Sequence, residues 1–156
     1  MIKIGDRIPD FQLPPIELKN LQDYSKVSSD LNPIHLDDAA ARAVGLPGVI
    51  AHGMYVAGLV ASRARRWAET QDLQWTQGWG LAYMQTRFKG MTFLGDSLLV
   101  TGMVRSVSDL EVVIDLQAQR NHRPEFDTDP LLKITVMDNG QSLVTVTQAQ
   151  IKFKKH

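Results

Sequence analysis

The spacing of apolar residues in the first half of the chain predicts helices. Small and apolar side chains recur at helical spacing over residues 53–69, which predicts one long helix with a small-residue face made of Met54, Val56, Ala57, Val60, Ala61, Ala64 and Ala68. A shorter pattern after a pair of prolines predicts a helix over residues 17–28. Asp37 can cap a third helix that ends at Ala43. We expect no strand in this half.

In the second half the apolar spacing changes to a period of two. This alternation is typical of strands with one buried face, and it covers residues 79–88, 98–104, 110–116, 132–136 and 143–151. Asp138-Asn139-Gly140 is a strong hairpin signal between the last two. Such close spacing predicts antiparallel pairing. We therefore expect an α+β fold, a single domain over residues 1–156 in which an antiparallel sheet of about five strands wraps the long helix.

Composition and charge narrow the class of protein. The 156 residues carry 17 Lys and Arg against 17 Asp and Glu, so the net charge is zero. The sequence has no basic stripe, and we therefore expect no nucleic-acid partner. The chain has no cysteine, which excludes disulfides and thiolate sites and fits a reducing compartment. Charges at Lys3, Asp6 and Arg7 disfavour a signal peptide, and the apolar window 49–62 is shorter than the ~20 residues that a membrane span needs. We expect a cytoplasmic protein without a membrane partner.

The densest polar cluster lies in residues 28–35, just before the long helix. Asp30 and His35 flank a turn fixed by Pro33, so a carboxylate and an imidazole can hold and activate one water molecule. Gly53 opens the long helix, where unpaired N–H groups favour a negative charge developing on a carbonyl oxygen. This pattern predicts a hydration-type active site with an oxyanion donor.

The same residues also have structural interpretations. Asp30 and Asn32 are common turn formers, and a single histidine such as His35 is more often structural than reactive. His52 suits the entry of a helix, where a hydrogen-bonding role needs no chemistry. Asp30, His35 and His52 form a possible ligand set, but the sequence shows no fourth ligand, so we predict no metal.

These motifs together resemble the signature of the MaoC-like, (R)-specific enoyl-CoA hydratase family. The matching residues are Tyr24, Ser28, Asp30, Asn32, Pro33, His35, His52, Gly53 and Met54. The resemblance implies a hot-dog fold and reversible addition of water to a trans-2-enoyl thioester, giving an (R)-3-hydroxyacyl thioester. It further implies that Asp30 and His35 activate the water, that the Gly53 amide polarises the thioester carbonyl, and that Asn32 supports the turn.

The sequence departs from the family pattern at two places. Ser29 stands where the family has glycine, and Lys89-Gly90 stands where a proline is usual. Neither change removes a catalytic group, although both bear on the shape of the pocket. Two other readings of the fold remain open, namely a thioesterase and a non-catalytic hot-dog subunit of a heteromeric dehydratase.

The resemblance also bears on ligands and partners. It implies an acyl thioester of coenzyme A or of a carrier protein as substrate, with no further cofactor. Because an open sheet edge invites pairing, we expect a homodimer or higher oligomer, or a heterodimer with a related chain.

Three arginines lie late in the predicted long helix: Arg63, Arg65 and Arg66. We interpret them as a solvated helix end, and the alternative is that they bind the phosphates of coenzyme A or an acidic carrier protein. Four further side chains fill the core or line an acyl pocket: Trp75, Trp79, Met91 and Phe93.

Overall fold

One antiparallel sheet and one long helix organise the chain. The computed structural model describes residues 1–71, 73 and 77–156. Its elements are β1 (Arg7–Gln12), α1 (Leu18–Ser28), a 3-10 turn (Pro33–His35), α2 (Asp38–Ala43), α3 (Gly53–Thr70), β2 (Trp79–Phe88), β3 (Leu99–Val107), β4 (Glu111–Asn121), β5 (Ile134–Val136) and β6 (Ser142–Lys155). The strand order is β1-β3-β4-β6-β2, and β5 pairs with the beginning of β6. Every pair of strands is antiparallel, as predicted.

The core lies between α3 and the sheet. Val56, Val60 and Ala64 are buried on the helix, and Ile114 and Ile151 are buried on the central strands that it faces. This arrangement confirms the predicted α+β architecture. One residue assigned to the small-residue face does not belong to it, because the side chain of Met54 is 63% exposed.

The helix predictions agree closely with the structure. α1 begins one residue after the predicted start, with Glu17 as its N-cap, and α3 ends one residue after the predicted end. Asp37 caps α2, and its Oδ1 accepts a hydrogen bond from the Ala40 N–H at 2.6 Å. Within the described ranges, none of the helices combines the length and the apolar character that a bilayer crossing requires.

The first strand contradicts the prediction of a strand-free first half. β1 pairs with β3 at the edge of the sheet, so the described chain has six strands instead of about five. Its apolar residues, Ile8 and Phe11, are separated by a register shift, which disrupts the alternation by which strands are recognised. Pro9 further weakens the strand signal and is tolerated because the strand lies at an edge.

Candidate active site

The turn between α1 and the 3-10 turn is held by its own polar side chains. The carboxylate of Asp30 accepts a hydrogen bond from the Asn32 N–H at 3.3 Å, and the Asn32 side chain accepts one from the Ile34 N–H at the same distance. Both side chains are exposed. Asp30 and Asn32 therefore act as turn formers, as the structural interpretation predicts. The Asp30 carboxylate and the Asn32 amide can each still form a hydrogen bond to a further partner.

His35 is buried, and one hydrogen bond fixes its ring. Its Nδ1 lies 2.8 Å from the carbonyl oxygen of Ile50. A carbonyl can only accept, so the proton of the neutral ring resides on Nδ1 and donates to Ile50. The Nε2 lone pair is then available, and no described residue occupies it. His35 is thus oriented as an acceptor for a hydrogen of water.

His52 forms the link between Asp30 and His35. Its ring stacks on His35 with centroids 3.9 Å apart, and its Nε2 lies 3.2 Å from the Asp30 carbonyl oxygen and 3.1 Å from Ser25 Oγ. Burial lowers the pKa of His52 below its ordinary value of 6.5, against the opposing effect of the Asp30 carbonyl. A neutral, hydrogen-bonded His52 matches its structural interpretation, and it holds the turn against the entrance of α3.

Gly53 is the first residue of α3, where backbone N–H groups lack an intrahelical acceptor. Within the described chain its N–H has no hydrogen-bond partner. A Cβ at this position would lie 3.1 Å from Cε1 and Cζ of the Phe88 ring, so glycine leaves the narrow space beside that ring open. The amide and the positive end of the helix dipole are therefore accessible to a carbonyl oxygen.

The structure brings the predicted polar groups to one place. An oxygen of the Asp30 carboxylate and one ring nitrogen from each of His35 and His52 all lie within 4.8 Å of one another. The two rings are stacked with a tilt of 30°. A carboxylate and two imidazoles this close together can share one water molecule, as the predicted hydration site requires.

The other candidate residues lie away from this cluster. Arg63 stacks on the Phe11 ring at 3.5 Å, and Arg65 pairs with Glu69 at 3.0 Å. Arg65 and Arg66 are exposed in the second half of α3, which supports the reading as a solvated helix end, whereas Arg63 is half-buried against Phe11 and departs from it. Phe93 is buried in the fold. Trp75 lies outside the described residues.

Two contributors to the site were missed by the sequence reasoning. Ser25, which bonds His52, was not predicted as a site residue, although a serine on the buried face of an amphipathic helix must find a polar partner. The Ile50 carbonyl, which fixes His35, carries no sequence signal because any residue supplies a carbonyl.

Comparison with known proteins places this geometry in a family. Residues 6–123 match the family model described as MaoC like domain. The chain belongs to the MaoC-like family. The fatty acid synthase subunit beta of Aspergillus oryzae is 35% identical to this MaoC-like chain over 102 residues, or 65% of the chain, which spans only 5% of the length of that relative.

Solved structures show that the MaoC-like chain has a hot-dog fold. The (R)-hydratase from A. caviae involved in PHA biosynthesis superposes with a TM-score of 0.70 at 17% identity, covering 99% of this chain and 98% of that one. The ChsH1-ChsH2 complex from Mycobacterium tuberculosis gives a TM-score of 0.72 at 15% identity and covers 100% of both chains. The independent prediction of a sheet around a long helix agrees with this fold.

Proposed function

We propose that this protein catalyses the reversible hydration of a trans-2-enoyl thioester to an (R)-3-hydroxyacyl thioester. The observation that carries the proposal is the grouping of the Asp30 carboxylate and the His35 ring within 4.8 Å, beside the open N–H of Gly53. Membership of the MaoC-like family supports this assignment and its stereochemistry. The acyl group is carried on coenzyme A or a carrier protein, and the proposal includes no metal or other cofactor.

The mechanism assigns one task to each group. His35 Nε2 and the Asp30 carboxylate hold a water molecule, and Asp30 takes a proton as the water oxygen bonds to C3. The electron pair of the C2–C3 double bond shifts towards the thioester oxygen, where the Gly53 N–H stabilises the enolate. The proton then returns to C2, so that one water has been added. An oxyanion donor contributes a factor of about 10²–10³ and a positioned base about 10²–10⁴.

The decisive experiment follows crotonyl-CoA as a probe. Wild-type protein is expected to remove the enoyl absorbance without releasing free thiol, whereas thiol release would show hydrolysis instead and overturn the proposal. Asp30→Asn and His35→Ala are each expected to lose about 10³-fold or more in kcat while remaining folded, because each removes a group from the water site. Asp38→Asn and His122→Ala are matched controls, since both residues lie outside the cluster and should retain activity.

A second chain is part of the proposal. The outer edge of β2 pairs with no other strand in the described chain, and three large apolar side chains on this strand are 46–51% exposed: Leu81, Tyr83 and Phe88. Phe88 also touches the space at Gly53, so this edge adjoins the candidate site. We propose that a second copy, or a related hot-dog chain, pairs here and completes the wall of the pocket.

The absence of cysteine supports a cytoplasmic location.

A further inference from the structure

A buried ion cluster lies beyond the candidate active site. Arg120 forms a two-pronged pair with Asp127, with distances of 2.9 and 2.5 Å, and both side chains are at most 2% exposed. Asp96, equally buried, pairs with Arg120 at 3.4 Å and with Arg123 at 2.5 Å. Two arginines and two aspartates thus balance each other in charge. A buried cluster of this kind is weak evidence for stability alone, because desolvation offsets much of the attraction.

The cluster hydrogen-bonds to the backbone of residues 91–96 at two points. Asp96 Oδ2 accepts a hydrogen bond from the Phe93 N–H at 2.7 Å, and Arg120 Nε donates to the Met91 carbonyl at 2.7 Å. The Arg120 guanidinium also lies over the Phe93 ring, 4.8 Å from its centroid. The cluster therefore fixes the backbone of this segment.

Residues 91–96 in turn hydrogen-bond to residues 49–51, which include the carbonyl that orients His35. The Ala51 N–H donates to the Thr92 carbonyl at 2.8 Å, and the Leu94 N–H donates to the Val49 carbonyl at 3.1 Å. Ile50 lies between these two bonds and forms an isolated antiparallel bridge with Phe93. Its carbonyl is the acceptor for His35 Nδ1 at 2.8 Å. Asp96 is therefore joined to the imidazole through hydrogen bonds and the short backbone segments between them.

We propose that Asp96, held by Arg120 and Arg123, is a positioning residue that keeps the Ile50 carbonyl in place and so fixes the tautomer and orientation of His35. This inference rests on the proposed function for its kinetic consequence, but the tautomer itself is a property of the free protein. The role parallels the outer partners that orient metal-bound histidines, whose loss commonly costs about 10–100-fold in activity. Ordinary core packing would not require a charge at position 96.

The test compares Asp96→Asn with wild type. Asparagine keeps an oxygen for the Phe93 N–H but loses the ion pairs, so we expect kcat to fall about tenfold while KM changes less than about twofold. Nitrogen-15 NMR of the His35 ring is expected to show the Nδ1–H tautomer in wild type and a mixture of tautomers in the variant. Asp115→Asn is the control for loss of a paired carboxylate, because Asp115 has two partners, Arg105 at 2.9 Å and Gln150 at 3.0 Å, neither of which belongs to the segment that holds His35.

A second variant covers the case in which Asp96→Asn does not fold. Arg123→Gln removes one partner of Asp96 from a side chain that is 31% exposed, so the core is less disturbed, and the same direction of change is expected. The proposal is overturned if His35 keeps a single Nδ1–H tautomer in the folded variants, or if their kcat falls no further than that of Asp115→Asn. Because the tautomer is read without substrate, a protein that lacks hydratase activity but shows the tautomer change would refute the proposed function and leave this inference standing.

Discussion

At the scale of single residues, Ser29 shows how this chain accommodates a departure from its family pattern. The residue follows α1 as its C-cap and has φ 62°, which is the left-handed region. Among the described residues it is the only one other than glycine with positive φ. The backbone therefore keeps the shape that glycine would adopt freely, and Asp30 still enters its turn. The departure affects local strain and leaves the geometry of the site unchanged.

This strain predicts that Ser29→Gly stabilises the protein. A left-handed conformation costs a residue with a Cβ about 1–2 kcal/mol, and glycine removes that cost while losing some in chain entropy, so we expect the free energy of unfolding to rise by about 1 kcal/mol. Urea unfolding measures the change. Ser28→Gly serves as the control and should be destabilising, because Ser28 is helical and its Oγ accepts from the Asp30 N–H. A lower stability of Ser29→Gly would contradict the argument.

The buried His52 ring predicts a dependence of stability on pH. Since burial lowers the pKa of His52 in the folded state, the unfolded chain takes up the proton first as the pH falls below 6.5. Stability is therefore present above this pH and is lost as the pH falls towards the folded-state pKa. Replacing the ring by His52→Phe, which keeps the stack on His35, should reduce the slope of unfolding free energy between pH 7.5 and 5. An unchanged slope in His52→Phe would refute the assignment.

At the scale of elements, prediction succeeded where the signal is local. The buried face of α3 and the Asp37 cap of α2 depend on the spacing of a few neighbouring residues. The predicted position of the cap and the predicted ends of α3 therefore agree with the structure to within one residue. β1 was missed because a register shift and Pro9 interrupt its alternation. The strand predicted over residues 110–116 ends before Arg120, which lies in β4 and is 1% exposed. Its buried partners come from distant parts of the chain, and no local pattern reports such pairing.

The same limits apply to the site. The Asp30–His35 turn could be predicted because a proline and two Asx residues fix it within a few positions. The stacking of His52 on His35 depends on how α3 docks against the preceding loop, so only the structure reveals it. The burial of Asp96 was not predicted, because its buried partner Arg120 comes from β4, far along the chain.

The start of α3 predicts a separation of activity from stability. Gly53→Ala places a Cβ against the half-exposed Phe88 ring, which can move aside, so we expect a stability change below about 1 kcal/mol. The added methyl and the displaced ring enter the space needed by the thioester, and kcat/KM should fall about 10–100-fold. Enoyl-thioester kinetics and thermal unfolding measure the two effects.

The control for this variant lies one and a half turns further along the helix. A Cβ on Gly58 meets no atom within 4 Å, so Gly58→Ala should gain about 0.8–1 kcal/mol of stability and retain activity. Equal losses of activity in the two variants would show that α3 tolerates no added methyl anywhere, and the special role of the space at Gly53 would be refuted.

At the scale of the whole molecule, the sheet has two unlike edges. β1 is short, with 6 residues and a register shift, whereas β2 runs for 10 residues with exposed apolar side chains and has a register shift of its own between Leu81 and Tyr83. A long edge of this kind is a pairing template unless another chain covers it. The edge that invites a partner is also the one that ends at Phe88 beside Gly53, so the proposed assembly and the proposed active site meet at one strand.

This link predicts that a charge on the β2 edge separates the chains and lowers activity together. Leu81→Lys should shift the protein to monomer in sedimentation velocity, because an edge lysine opposes strand pairing. Leu110→Lys is the matched control: its side chain is 63% exposed in the turn between β3 and β4, so it adds the same charge away from the edge and should leave assembly unchanged. Activity of Leu81→Lys should recover at high protein concentration if dissociation is its cause. A fully active monomer would show that the pocket is complete within one chain, and an oligomer unaffected by Leu81→Lys would show that the chains do not pair through β2.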